Sequence, residues 1–366
     1  MAFMGFPIEI REPILELALL VDTTEPPNDA INLTRELRKV PLEDDATTGK
    51  GGSTITAGEY TLLEKTSGWG GSASLPVFYR PGTCRDTALQ LLLVSRQIHD
   101  ETKRILDREA DHSSWKADVM FIKYVGLWTT WLSASRFLSH VDTVHAQFRS
   151  FNTPETLDPA FFRDYLWRGG CGGPPVGVWG FYDLLMGFLE GIIGPFPRRR
   201  EIDGPESHGD QQRNDARGIT VGRLVLDFLS STEENILPLN SNPPGFSQII
   251  STRYLDPALP EQKLAALALA RFCASHLGIL MRPLLEDVDL SEGLFERVGE
   301  ILIQVDGEPY EHFDLSEILV ELSWRKEEQW EPGYYRLALV DGAFKWKEEV
   351  IERRRRAGSK VAGQLD

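Results

Sequence analysis

The chain has 366 residues, 42% hydrophobic and 26% charged, a balance that supports a buried core and a length at which single cores usually stop growing. Its formal net charge of −16 argues against a nucleic-acid or anionic-membrane surface, because phosphate contacts need clustered Lys and Arg. Three cysteines, at 84, 171 and 273, show no paired spacing and suit free thiols in a reducing compartment, and no run of 18 uncharged apolar residues suggests a membrane span.

The first predicted element is an amphipathic helix over residues 6 to 20. Pro7 suits an early helical position, where its missing amide hydrogen costs nothing. Ile10, Ile14, Leu17, Ala18 and Val21 recur at steps of three and four, so they are expected to form the packed stripe. Pro13 predicts either a kink or a later start near Glu12 with a separate leading turn. The opening MAFMGFPIEIRE lacks a basic stretch followed by an apolar one, so no ordinary signal peptide is expected and a cytoplasmic location follows, with nuclear import as an option.

Residues 22 to 85 carry turn and linker chemistry, including Glu25-Pro26-Pro27 and Gly49-Lys50-Gly51-Gly52-Ser53, and are expected to form a flexible insertion. Thr48-Gly49-Lys50 does not make a phosphate loop, since Asp44 stands where that motif needs glycine and Gly51 where it needs Ser or Thr. A second helix is predicted over residues 89 to 106, with Asp86 or Thr87 as its cap and Leu91, Val94, Ile98, Thr102 and Ile105 along one face, widened by Leu92 and Leu93. Two such stripes can bury each other, so the two helices are expected to pack as a pair.

The pattern Phe6-Pro7-x-Glu9-Ile10-x-x-x-Ile14-Leu15, followed by Leu92-Leu93-Val94-Ser95-Arg96-Gln97-Ile98 and Glu101, resembles the F-box-like proteins abundant in filamentous fungi. The resemblance covers residues 6 to 20 and 89 to 106, within a module expected to span residues 1 to 21 and 86 to 110. It implies a small helical module that docks the Skp-type adaptor of a cullin–RING ubiquitin ligase while the rest of the chain holds a substrate. On that resemblance Phe6, Pro7, Ile10, Ile14 and Leu15 would contribute to the adaptor face.

Residues 111 to 345 are expected to form a βα-rich substrate-recognition region. Val141, Val144, Ala146 and Phe148; Val221, Leu224, Leu226 and Phe228; and Val298, Ile301, Ile303 and Val305 share offsets of zero, three, five and seven. Helical text follows each set, at about 178 to 194, 261 to 285 and 314 to 329, and a helix face is predicted before the first from Leu127, Trp131, Ala134 and Leu138. A poorer fourth copy falls at Tyr334, Leu337 and Leu339. The offsets resemble the strand of leucine-rich repeats, although those return within about 20–29 residues. The fold class is therefore α+β or α/β: a small F-box-like helical module packed on an irregular βα region with leucine-rich-repeat-like strands and a largely parallel sheet.

Chemistry has few candidates. His140 and His145 flank Asp142, but a metal site needs further ligands that the sequence does not identify. Cys171, in a Gly-rich loop, is the best nucleophile candidate and has no assigned base. His99-Asp100-Glu101 lies along one helix, where consecutive residues point apart. A terminal helix beginning near Ala343 ends in Arg353 to Arg356, cations that complement the helix dipole and, with Lys345, Lys347 and Lys360, also resemble a nuclear import signal. No catalytic, cofactor or metal residue is assigned; a protein partner is expected, without nucleic acid or membrane. The alternatives are a scaffold with a purely structural helical pair, and a Cys-dependent enzyme.

Overall fold

Three segments that share one apolar spacing become three neighbouring parallel strands. In the computed structural model β7 (His140–Phe151), β8 (Thr220–Leu229) and β9 (Val298–Val305) lie side by side, and the register sets Val141, Val221 and Val298 abreast, then Val144, Leu224 and Ile301, then Ala146, Leu226 and Ile303, then Phe148, Phe228 and Val305. All twelve side chains belong to, or pack against, one core cluster. An offset of three cannot keep one face in a strand whose side chains alternate. The alternation slips at the residue after the first of these valines in each strand, where Asp142, Gly222 and Gly299 stand, and all three slip together so the register survives. At the latter two glycine is required: a Cβ on Gly299 would lie 2.4 Å from the Gly222 carbonyl oxygen, and one on Gly222 would lie 2.8 Å from that of Asp142.

The structure describes residues 3–19, 35, 37–41, 53–63, 75–81, 87–109, 114–122, 125–134, 140–151, 176–191, 193–194, 219–230, 260–281, 288–322 and 335–356. The remaining strands are β1 (Leu37–Pro41), β2 (Ser53–Ala57), β3 (Thr61–Leu62), β4 (Val77–Tyr79), β5 (Ser114–Ile122), β6 (Gly126–Ser133) and β10 (Glu308–Asp314). Eight form one mixed sheet in the order β10-β9-β8-β7-β5-β6-β4-β3, and β1 and β2 pair separately as an antiparallel ribbon. The helices are α1 (Ile8–Leu19), α2 (Thr87–Leu92), α3 (Arg96–Glu109), α4 (Val176–Leu189), α5 (Glu261–Leu280), α6 (Val288–Arg297), α7 (Leu315–Glu321) and α8 (Tyr335–Arg356). The fold is thus mixed α/β.

Helices α4 to α8 all contribute to the core on one face of the sheet, through residues such as Phe188, Leu269, Phe295, Leu319 and Trp346. On the other face Leu37, Ile55, Ala57 and Tyr60 close over Phe78, Met120, Ile122 and Trp128. Trp128 is fully buried, stacked on Phe78 at 4.3 Å between ring centroids and met edge-on by Tyr60 at 4.9 Å.

Several expectations are corrected. The stretch from 22 to 85, expected to be a flexible insertion, supplies β1 to β4, two of them to the main sheet, with Leu75 and Phe78 inaccessible to solvent. Leu127 and Trp131 lie on strand β6 rather than a helix; nearly every β6 residue is buried, and a strand buried on both faces has no alternation to betray it. Leu337 and Leu339 begin α8, so no fourth strand forms there, and α8 starts at Tyr335 rather than near Ala343. The helices expected after each strand set are present as α4, α5 and α7.

β9 turns into β10 through Asp306 and Gly307, both with positive φ (53° and 80°), as a two-residue hairpin turn of the primed type requires. The Asp227 carboxylate accepts the Gly307 amide at 3.0 Å, tying that turn to β8. β10 runs directly into α7, where Asp314 caps the helix by accepting the Ser316 and Glu317 amides at 2.9 and 3.1 Å.

Candidate functional site

The two matched segments do meet, the second through the expected Leu91, Ile98 and Ile105 and the first through a face different from the one expected. Leu15, Ile98 and Ile105 form a small buried cluster, with Phe3, Leu19 and Leu91 packed around it. Beside it the Arg11 guanidinium and the Glu101 carboxylate form a buried two-bond ion pair, one bond being Nε to Oε2 at 3.2 Å. Arg11 also donates to the carbonyls of Met4 and Phe6, which fixes the chain entering α1. The Arg11 bond holds the Glu101 carboxyl below its usual range, outweighing the opposing effect of burial, and Gln97 adds a further donor at 3.1 Å. Nearer the surface Arg108 bridges Glu12 and Glu16 on α1.

Because Arg11 and Leu15 turn inward, the stripe expected to be buried faces out. Ile10 is 50% exposed, Ile14 45% and Leu17 71%, whereas Leu15 is 2% exposed. Of the five residues assigned to an adaptor face, Ile10 and Ile14 are accessible apolar groups and Pro7 is exposed, its carbonyl accepting the Ile10 and Arg11 amides at the start of α1. Phe6 is half-buried. Leu15 is inside the helical pair and offers nothing to a partner in this arrangement. α1 starts at Ile8 and continues through Pro13, so residues 7 to 11 do not form a separate leading turn, although a short 3-10 turn at Phe3–Gly5 precedes the helix.

The second segment is two helices. Chain leaves α2 after Leu92, turns through Leu93 and Val94, and re-enters helix as α3, whose first turn receives the Ser95 hydroxyl as acceptor for the Ile98 amide at 3.2 Å. Leu93 and Val94, expected on the packed face, are exposed in that turn. Among the described residues nine large hydrophobic side chains are exposed, and six of them belong to this module: Met4, Ile10, Ile14, Leu17, Leu93 and Val94.

The chemical candidates do not assemble. His140 bonds Thr220 Oγ1 at 2.9 Å and lies 3.5 Å from Asp142, while His145 faces Asp227 at 3.5 Å, so the two histidines serve different neighbours. Among the described residues no group of three or more His, Cys, Asp or Glu side chains could hold a metal ion. Cys84, Cys171 and the Thr48-Gly49-Lys50 stretch lie outside the described residues, as do Asp86 and Lys360. Cys273 is buried, and burial pushes its thiol well above the usual cysteine range, which leaves no thiolate for nucleophilic work.

Two of the four arginines of the terminal run, with Lys347, are committed to the fold, whereas among the described residues Arg355 and Arg356 pair only with Glu352 on their own helix. Arg354 is fully buried and donates to the carbonyls of Phe295 and Val298, the latter at 2.9 Å; Arg353 bridges Glu292 and Glu296; Lys347 donates to the carbonyls of Val320 and Leu322 at 2.6 and 2.7 Å. An import receptor reads accessible side chains, so Arg354 is lost to it in the folded protein. No described helix is long and apolar enough to cross a membrane. No family model, curated protein or solved structure matches the chain.

Proposed function

We propose that this chain is a non-catalytic protein-interaction protein, a substrate-recognition subunit of a cullin–RING ubiquitin ligase, in which α1 and the α2–α3 turn dock a Skp-type adaptor and the sheet domain holds the target. The observation that carries the reading is the outward apolar stripe Ile10, Ile14 and Leu17 on a helix whose opposite face is anchored by Leu15 and Arg11. Exposed apolar side chains concentrated on one module mark an interaction surface rather than a random scatter. The ubiquitin assignment rests on the F-box-like spacing of residues 6 to 15 and 92 to 101. Such a subunit positions a target beside a separately supplied enzyme and needs no reacting group of its own.

The scaffold reading, in which the helical pair serves only the fold, draws support from the burial of Leu15, one of the residues the resemblance assigns to the adaptor face. Pulldown of a Skp-type adaptor separates the two. Wild type is expected to retain it and Ile10→Asp and Ile14→Asp to lose it with their folding unchanged, since both positions are already solvent-accessible. A folded wild-type protein that captures no adaptor contradicts the ligase reading and leaves the scaffold.

A further inference from the structure

Between the helical layer and the sheet lies a cavity of about 90 Å³, bounded by β5 to β8 below and by α4 and α5 above. Close-packed cores keep few voids larger than one water molecule, and this one has room for several atoms. The surface it presents is almost wholly apolar, with Phe181 of α4 standing 5.6 Å from Phe148 of β7 and 6.2 Å from Phe272 of α5 between ring centroids. Such a wall offers water almost no hydrogen bonds, so a carbon chain is the better occupant. Five polar side chains border the space: Thr129, Trp131, Tyr182, Cys273 and His276. The Thr129 hydroxyl and the Trp131 indole nitrogen are covered by neighbouring atoms and cannot meet a ligand. Burial holds the Cys273 thiol protonated. His276 is different. It is half-buried on α5, set edge-on to Phe272 at 4.4 Å between centroids, and neither of its ring nitrogens is covered or hydrogen-bonded to a described residue.

We infer that this cavity binds a small unbranched aliphatic alcohol, its carbon chain held among the aromatic rings and its hydroxyl paired with the His276 imidazole at the border. An engineered apolar cavity of about 150 Å³ accepts the six carbons of benzene, so by proportion this one takes about three or four non-hydrogen atoms. Apolar walls supply the affinity and one placed polar group sets the orientation. Burial lowers the His276 imidazole below its usual range, so at neutral pH the ring is uncharged and carries one N–H donor and one accepting nitrogen, which together suit a hydroxyl. No charged side chain lines the space, so a carboxylate or ammonium ligand would enter unpaired and is excluded. This site is independent of the α1 surface and of whether an adaptor binds there.

The probes are 1-propanol, 1-chloropropane, which keeps the chain and loses the hydroxyl, and neopentyl alcohol, which is too bulky for the space. Titration of the full chain is followed by NMR of the Val119, Val144 and Leu224 methyls, which line the cavity, and of the His276 ring nitrogens. 1-Propanol should shift both sets saturably, 1-chloropropane the methyls alone, and neopentyl alcohol neither. His276→Leu should weaken 1-propanol about two- to tenfold, the loss of one neutral hydrogen bond, and leave 1-chloropropane unchanged, which also shows that the cavity is intact. Tyr182→Phe, which removes the other bordering hydroxyl, should alter neither. Ala146→Val, which adds two carbons to the wall, should abolish both, with Ala117→Val in its place should the first fail to fold. The inference is overturned by absence of saturable methyl shifts with 1-propanol, by equal shifts with neopentyl alcohol, by an equal effect of His276→Leu on the two propyl probes, or by a loss that follows Tyr182→Phe instead.

Discussion

Leu15 and Ile14 are neighbours in sequence and opposites in energetics, and substituting each by Ala tests which face of α1 is structural. Leu15 is 2% exposed and one of three fully buried members of its cluster. Removing a buried leucine side chain to alanine costs about 2–5 kcal/mol, and a small cluster at a helix pair can partly collapse around the gap, so the lower half of that range, ~2–3 kcal/mol, applies. Ile14 is 45% exposed, so only about half of the roughly 1.5–3 kcal/mol of a buried side chain is at stake. Alanine's better helix propensity returns a few tenths of a kcal/mol, which leaves about 0.5–1 kcal/mol. The helical pair is a satellite of the main core, so the readout is local: native-state hydrogen exchange of the α1 and α3 amides, converted to opening free energies. Leu15→Ala should lower these by the larger amount and leave the β7, β8 and β9 amides unaffected. An Ile14→Ala cost equal to or above that of Leu15→Ala would refute the assignment of the inner face.

Gly299→Ala places a methyl 2.4 Å from a neighbouring backbone oxygen, more than 1 Å inside ordinary contact, between two strands that cannot yield independently. It should cost at least ~1–3 kcal/mol, read as a lowered urea midpoint, whereas Gly278→Ala, with open space around its Cβ, should not. The helical pair should also be acid-sensitive. The Glu101 carboxyl is held below its ordinary value by Arg11, so its contribution is complete above about pH 4.3 and is lost as pH falls from there through the lowered native value. Exchange protection of α1 and α3 should fade over that window in wild type but not in Glu101→Gln; equal fading in both contradicts the pairing.

The sheet was legible wherever one face alone is buried. Val141, Val221 and Val298 and their followers repeat because three strands stacked in register must each present the same four positions to one helical layer. β5 and β6 escaped because apolar residues point to both faces, and the spacing of Leu127 from Trp131 fits a helix equally well. The β9–β10 hairpin did carry a signal, Asp306-Gly307 between two extended runs, which turn chemistry alone could have identified. Ser95 likewise marked the start of α3 and would have divided the second segment.

The inner face of α1 was hidden for a different reason. Arg11 looks like a solvent residue on any single-helix projection, and the Glu101 that neutralises it lies 90 positions away. Apolar periodicity therefore selected Ile10, Ile14 and Leu17, the stripe left outside, and the packing of two charged residues between helices reversed the prediction. The same reversal is what leaves Ile10, Ile14 and Leu17 exposed.

Hydrogen exchange of residues 8–19, measured on the intact chain with and without a saturating Skp-type adaptor, tests this account most directly. Docking on the outward stripe predicts added protection across α1 and the α2–α3 turn, with β7, β8 and β9 unchanged. Unchanged exchange in α1 in the presence of a bound adaptor would place the contact elsewhere and contradict it.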